Sequence, residues 1–240
     1  MSTYKNIHGK AVKSVSTNLS DSGAEGQIWF NTTDNQFKSV VTTSAWASTA
    51  SMSTSRQALG AGGTQTAGVI FGGGTPSNTA ATEEYNGSGF STGGNLSTAR
   101  RSISGFGLQT AAVAAGGYVT TVQTATEEYN GSTWGPGGAL NTGRSGLAAA
   151  GTLTAGLCFG GYDGSSSTTS TEEYDGSSWT AGGALNTTRQ ALAGCGTQTA
   201  GLAFGGGFPS PGVSTSTEEY NGSSWTAGGA LNTGRQGLAG

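Results

Sequence analysis

Carboxylates set in pairs are the first residues in this chain whose type and spacing suggest chemistry. They recur as Glu83-Glu84, Glu127-Glu128, Glu172-Glu173 and Glu218-Glu219, each followed by a tyrosine at Tyr85, Tyr129, Tyr174 and Tyr220. General acid–base chemistry needs two acids tuned apart within one site. Four identical pairs offer no such asymmetry, and neighbouring residues of a strand point to opposite faces. The pairs therefore predict a structural role, with one Glu meeting a repeated arginine between units. His8 is the only histidine, so neither a Ser-His-Asp triad nor a histidine metal site has support. Gly60-Ala61-Gly62-Gly63 lacks the lysine and following helix of a phosphate loop. Asn-Gly-Ser matches a glycosylation acceptor, but a hairpin turn accounts for it. Cys158 and Cys195 occupy different points of the pattern described next, which argues against a repeated disulfide framework and reads as two small buried residues. No enzyme, metal or cofactor is expected.

Those residues belong to a repeat. Arginines stand at Arg56, Arg100, Arg144, Arg189 and Arg235, in steps of 44, 44, 45 and 46 residues. Trp46, Phe90, Trp134, Trp179 and Trp225 keep the same steps, and glycine pairs recur at Gly72-Gly73, Gly116-Gly117, Gly160-Gly161 and Gly205-Gly206. Tandem self-similarity of this period marks units that bury their apolar faces only against their neighbours. Glycine supplies 45 of 240 residues, a share that could mean disorder, but aromatics kept in register contradict that. The formal net charge is −3, and from residue 39 onward six Arg face eight Glu and two Asp, net −4. A basic nucleic-acid footprint is absent. No apolar run approaches the ~20 residues of a membrane span, and no secretory signal opens the chain.

Each unit is too short and too rich in glycine for a helix pair. Ala200-Gly201-Leu202-Ala203-Phe204 alternates, placing Leu202 and Phe204 on one face. The glycines after Phe204 end that strand, and a further strand closes at Tyr220. Asn221-Gly222 offers two positive-φ residues for a tight turn into a strand through Trp225. With the strand after each arginine, a unit holds four short antiparallel strands, and radial repetition of such sheets makes a β-propeller. Double glycine, Glu-Tyr, Trp about five residues on, then Arg resembles the kelch repeat over about residues 39–240, with Phe90 and Val41 as departures. The resemblance implies a kelch-like all-β propeller. Complete sets span about 57–100, 101–144, 145–189 and 190–235. The chain then ends in one inner strand, Gln236-Gly237-Leu238-Ala239-Gly240. Near its start, a hairpin of 27–31 and 36–40 and a strand at Trp46 lack an inner partner. The two remnants predict a fifth, composite blade, and the rival is a fragment of a longer array. The expected domains are 1–26, an attachment or assembly segment (or a disordered tail), and 27–240, the propeller.

What differs between copies bears on function. The connector after each glycine pair changes in every repeat and carries Tyr118, Tyr162, Asp163 and Phe208. Variable loops on a repeated scaffold are where recognition resides. These aromatics suit stacking on a sugar ring or a partner side chain, or simply cover the blade rim. The run from Gly26 to Lys38 resembles a stretch common near the start of bacteriophage tail-fibre and related virion proteins. That resemblance implies a virion-associated, outward-facing propeller binding a host surface glycan or protein, with the N-terminal segment joining other virion proteins and a homo-oligomer possible. The alternative is a structural fibre or decoration protein that self-assembles without ligand, and a glycan-cleaving propeller comes third.

Overall fold

A computed structural model describes residues 13–15, 28–39, 49–207, 212–238 and 240. They contain nineteen strands and no helix. The chain divides into two compact units, Met1–Ser48 and Thr49–Gly240.

In the first unit, β2 (Ile28–Asn31) and β3 (Gln36–Ser39) form the expected hairpin, with Ile28 opposite Ser39. Asn31 Oδ1 accepts from the Thr33 and Asp34 amides, which closes the turn with a side chain. Phe30 meets Phe37 edge-on at 5.2 Å, and Trp29 is buried. On its other edge, β2 pairs in parallel with β1 (Lys13–Val15). The hairpin thus has both flanks of β2 filled within its own unit, and it groups with residues before 49 rather than with the repeats. The fifth, composite blade is not among the described sheets.

The second unit is a β-propeller of four described blades, each a four-stranded antiparallel sheet in sequence order. The first holds β4 (Gly60–Thr64), β5 (Ala67–Phe71), β6 (Thr82–Tyr85) and β7 (Phe90–Thr92). The second holds β8 (Ser104–Leu108), β9 (Ala111–Ala115), β10 (Thr126–Tyr129) and β11 (Trp134–Pro136). The third comprises β12 (Ala148–Thr152), β13 (Ala155–Phe159), β14 (Thr171–Tyr174) and β15 (Trp179–Ala181). The fourth comprises β16 (Ala193–Thr197), β17 (Ala200–Phe204), β18 (Thr217–Tyr220) and β19 (Trp225–Ala227).

The turn before each aromatic strand departs from the expected two-residue type. Tyr220 lies opposite Trp225, so four residues intervene, and of Asn221 and Gly222 only the glycine has positive φ, at 90°. Asn221 Oδ1 instead accepts from the Ser223 and Ser224 amides. Asp175 does the same in the third blade, and these bonds pull its carboxyl down to about 2, led by the Ser178 amide.

Inner strands stand side by side, β4 by β8, β8 by β12 and β12 by β16. At the head of each, one residue takes positive φ: Ala58, Ser102, Gly146 and Ala191 at 51–59°, and Gly237 at 66°. Their backbones join in a chain: Ser102 N–H donates to Ala58 O, Gly146 to Ser102, Ala191 to Gly146 and Gly237 to Ala191, at 2.7–2.9 Å. All five line one central cavity of ≈ 610 Å³. Gly237 thus continues this row, but no strand is described over 236–240, where the sequence predicts an inner one.

Between blades the core is an aromatic pair. Phe71 meets Trp134 of the next blade at 4.7 Å, and Phe159 meets Trp225 at 4.7 Å. The second blade has Ala115 at the corresponding point of β9, and Phe106 of β8 supplies the ring for Trp179, at 6.2 Å. This exchange between adjacent strands keeps the interblade volume filled. The fourth blade shows what a following blade contributes: Leu157 and Phe159 are fully buried, whereas Leu202 and Phe204 are half-buried. The same exposure explains Cys195. Cys158 is buried, which pushes its thiol up to about 12, but Cys195 is exposed, contrary to the sequence reading. Its counterpart Ala150 is covered by the next blade.

Candidate functional site

Two sets of residues bear on function: the seams between blades and the loops at the arginine end.

The seams absorb the carboxylate pairs. Arg144 is fully buried and donates to Gly160 O (2.8 Å), Ser170 O (2.8 Å) and Glu172 Oε1 (2.9 Å). Its own carbonyl accepts from Gly117 N–H of the preceding blade at 2.8 Å. One residue thus holds two blades, by side chain and by backbone. Arg56, Arg100 and Arg189 pair likewise with Glu83, Glu127 and Glu218 at 2.5–3.1 Å. Burial lowers the pKa of Arg100 and Arg189, opposed by their glutamates. For Glu83, burial raises the pKa but is outweighed by bonds from Ser53 and the charge of Arg56, so the net shift is downward. Glycine is required where these backbones meet: a Cβ on Gly160, at φ 63°, would stand 2.8 Å from Arg189 O.

The second glutamate of each pair points the other way. Glu84 accepts from the Tyr129 hydroxyl (2.5 Å), Glu128 from Tyr174, and Glu173 from Tyr220 (2.5 Å). Trp134, Trp179 and Trp225 donate from Nε1 to Thr82, Thr126 and Thr171 of the preceding blade at 2.9–3.0 Å. In the second and third blades every position of Thr-Glu-Glu-Tyr is thereby engaged in holding sheets together, while in the first blade Glu83 also lines a hollow of ≈ 290 Å³. Arg235 is exposed, forms no ion pair among the described residues, and donates to Thr233 O. Trp46 lies outside the described residues.

Buried against these seams, Tyr129, Tyr174 and Tyr220 have their phenols pushed from 10.0 up to about 12, by burial first and by the facing carboxylate second. Because the folded pKa is raised, the stability this provides is complete below pH 10 and is lost as pH climbs toward about 12. We expect a steep fall in melting temperature over that interval, each tyrosine contributing on the order of 2 kcal/mol. Tyr174→Phe should flatten the alkaline limb; an unchanged limb would contradict the assignment.

At the arginine end, the residue after each arginine bridges to the residue after each glycine pair: Gln57 to Gly74, Arg101 to Tyr118, Ser145 to Tyr162 and Gln190 to Gly207. The variable connectors are thus tied to the segments that follow the arginines. Tyr118 and Tyr162 are half-buried rather than fully exposed, and the Tyr162 hydroxyl donates to Gly164 O. Asp163 accepts from Ser165 and Ser166, which lowers its pKa, led by the Ser166 amide. It is a turn-former as it stands. Loops of the second and third blades adjoin, since a Cβ on Gly164 would lie 3.3 Å from Val122. Phe208 lies outside the described residues.

Sequence reasoning passed over Arg101, which is exposed with its guanidinium 5.3 Å above the Tyr118 ring. The available signal was the row Gln57, Arg101, Ser145, Gln190, Gln236, in which one repeat alone carries a charge. No group of three or more His, Cys, Asp or Glu side chains able to hold a metal ion occurs among the described residues. No helix long and apolar enough to cross a membrane occurs among them.

The fold and these seams define a β-propeller built from sequence repeats. No family model matches the chain, and no curated protein matches it significantly.

Proposed function

We propose that the protein is a recognition module, a kelch-like propeller of the phage tail-fibre type that binds a host surface glycan or protein through its variable loops. The observation that carries this reading is a contrast within one chain. Residues of the seams are nearly the same in each repeat and are consumed by structure, while the connectors that differ are gathered at one end. Virion association rests on the resemblance of residues 26–38. The loop exchange that tests it replaces 118–122 by the first blade's 74–78 and measures binding of the labelled protein to host cells. Loss of binding with an unchanged melt is expected. Ordered fibres formed by both proteins alike, with no cell binding by either, would favour the structural reading.

One observation bears on how the ring is completed. Glu84, Glu128 and Glu173 each hold a tyrosine hydroxyl, but Glu219 is exposed and Phe204 lacks an aromatic partner among the described residues. Among the described residues nothing engages Glu219 or Phe204 on this face of the fourth blade, which repeats the receptor side of the other seams, and Trp46 stands at the matching step of the repeat. We propose a fifth, composite blade that brings Trp46 to this face. Trp46→Ala should then lower the melting temperature about as much as the same change at a described seam. No effect would leave the face free for a second copy.

A further inference from the structure

On the loop face, the first blade has a small cleft, and an arginine of the second blade reaches one of its lining residues. A hollow of ≈ 290 Å³ lies in the first blade, lined by the hydroxyls and amide of Ser53, Thr54, Thr75, Ser77, Asn78 and Thr79 together with Ala81 and the mutually neutralised Arg56–Glu83 pair. This is at the small end of ligand pockets, and hydroxyl and amide linings orient polyhydroxylated ligands through hydrogen bonds. Asn78 ties the hollow to the next blade: its Nδ2 donates to Tyr118 O (3.1 Å), and its Oδ1 accepts from Arg101 at 3.5 Å. Arg101 rests over the Tyr118 ring and pairs with no carboxylate among the described residues, so most of its five N–H donors remain available. Four of the other arginines are neutralised by buried glutamates. A cation left free and fixed in orientation by an aromatic ring is set for a planar or tetrahedral anion.

Resting on the recognition reading above, we propose that this cleft binds an anionic saccharide, a sugar bearing carboxylate or sulfate. The sugar hydroxyls bond to the hollow around Asn78, and the anionic group takes the Arg101 fork beside Tyr118. The rest of the propeller surface argues for this specificity, because residues from 39 onward carry net charge −4 and repel anions elsewhere. An anion therefore gains orientation as well as affinity at Arg101.

The repeats themselves supply substitutions suited to the fold. Arg101→Gln installs the residue found at this point in the first, fourth and fifth copies. Asn78→Ser installs the residue that bridges at the matching point of the third blade, Ser167 opposite Tyr162. The full chain and both variants would be applied to an array of uronate-, sialate- and sulfate-bearing oligosaccharides with their neutral parents, with hexaglutamate as competitor. We expect charged saccharides to bind best, Arg101→Gln to weaken them by at least about tenfold with neutral parents unchanged, and added salt to lose its effect in that variant. Asn78→Ser should weaken charged and neutral members together. Equal binding of charged and neutral saccharides, or a charge preference that survives Arg101→Gln, overturns the proposal while leaving the recognition reading intact. Displacement by hexaglutamate as effective as by the charged sugars overturns the saccharide chemistry. If no saccharide binds at all, the proposal fails, and so does a glycan as the ligand of the loops.

Discussion

Arg144→Met is expected to destabilise the propeller by about 3–5 kcal/mol, seen as a lower midpoint in urea denaturation. The guanidinium is fully buried and satisfies two carbonyls, Gly160 O and Ser170 O, as well as Glu172 Oε1. Removing it strands a carboxylate in the seam; Glu172 Oε2 keeps its bonds from the Asn141 amide and side chain, but its charge loses the compensating cation. A domain of ordinary stability has about 5–15 kcal/mol in all, so a single seam represents a large fraction of it. Glu172→Gln keeps the volume and an acceptor and should cost less, about 1–3 kcal/mol. The two changes combined should cost at least about 1 kcal/mol less than their sum, because the partner of an already broken pair has less to lose. Strict additivity would mean that the buried pair does not hold this seam.

Trp179→Ala should cost about 3–5 kcal/mol, the range for emptying a large aromatic site from a core. The indole packs against Tyr174 at 4.7 Å and Phe106 at 6.2 Å, and its Nε1 donates to Thr126 Oγ1 at 3.0 Å. Trp179→Phe separates the two contributions: it keeps most of the ring but leaves the Thr126 hydroxyl without its donor, an expected loss of about 1–2 kcal/mol. Denaturation midpoints of the two variants measure the difference. A Phe variant as unstable as the Ala variant would place the energy in the hydrogen bond rather than in packing. Phe at Phe90 shows that the fold accepts this ring where no indole bond is drawn.

Most of the architecture was legible in residue order because the repeat imposes it. The alternation of Ala200–Phe204, the strand end at Tyr220 and the strand at Trp225 all stand where the pattern puts them. The same order did not reveal the turn chemistry, since Asn-Gly suits two kinds of hairpin and the choice lies with the Asn221 side chain and the amides that follow. It left Arg101 unnoticed because a cation acquires its role from what lies beneath it, and Tyr118 is seventeen residues away in sequence.

By itself the sequence determined the period, the four-stranded unit and the structural part of Arg56, Arg100, Arg144 and Arg189, since each depends on local spacing repeated in register. Tertiary structure alone decided burial and partnership. Leu157 and Leu202 occupy the same point of the same strand, yet only the first is fully buried, because a fourth blade covers the third. Phe106 in place of a Phe at Ala115 fills a seam that only the apposition of two sheets creates. Local sequence selects the strand, whereas burial depends on a neighbouring sheet some 45 residues away in the chain, and one repeat's residues do not specify what stands beside it.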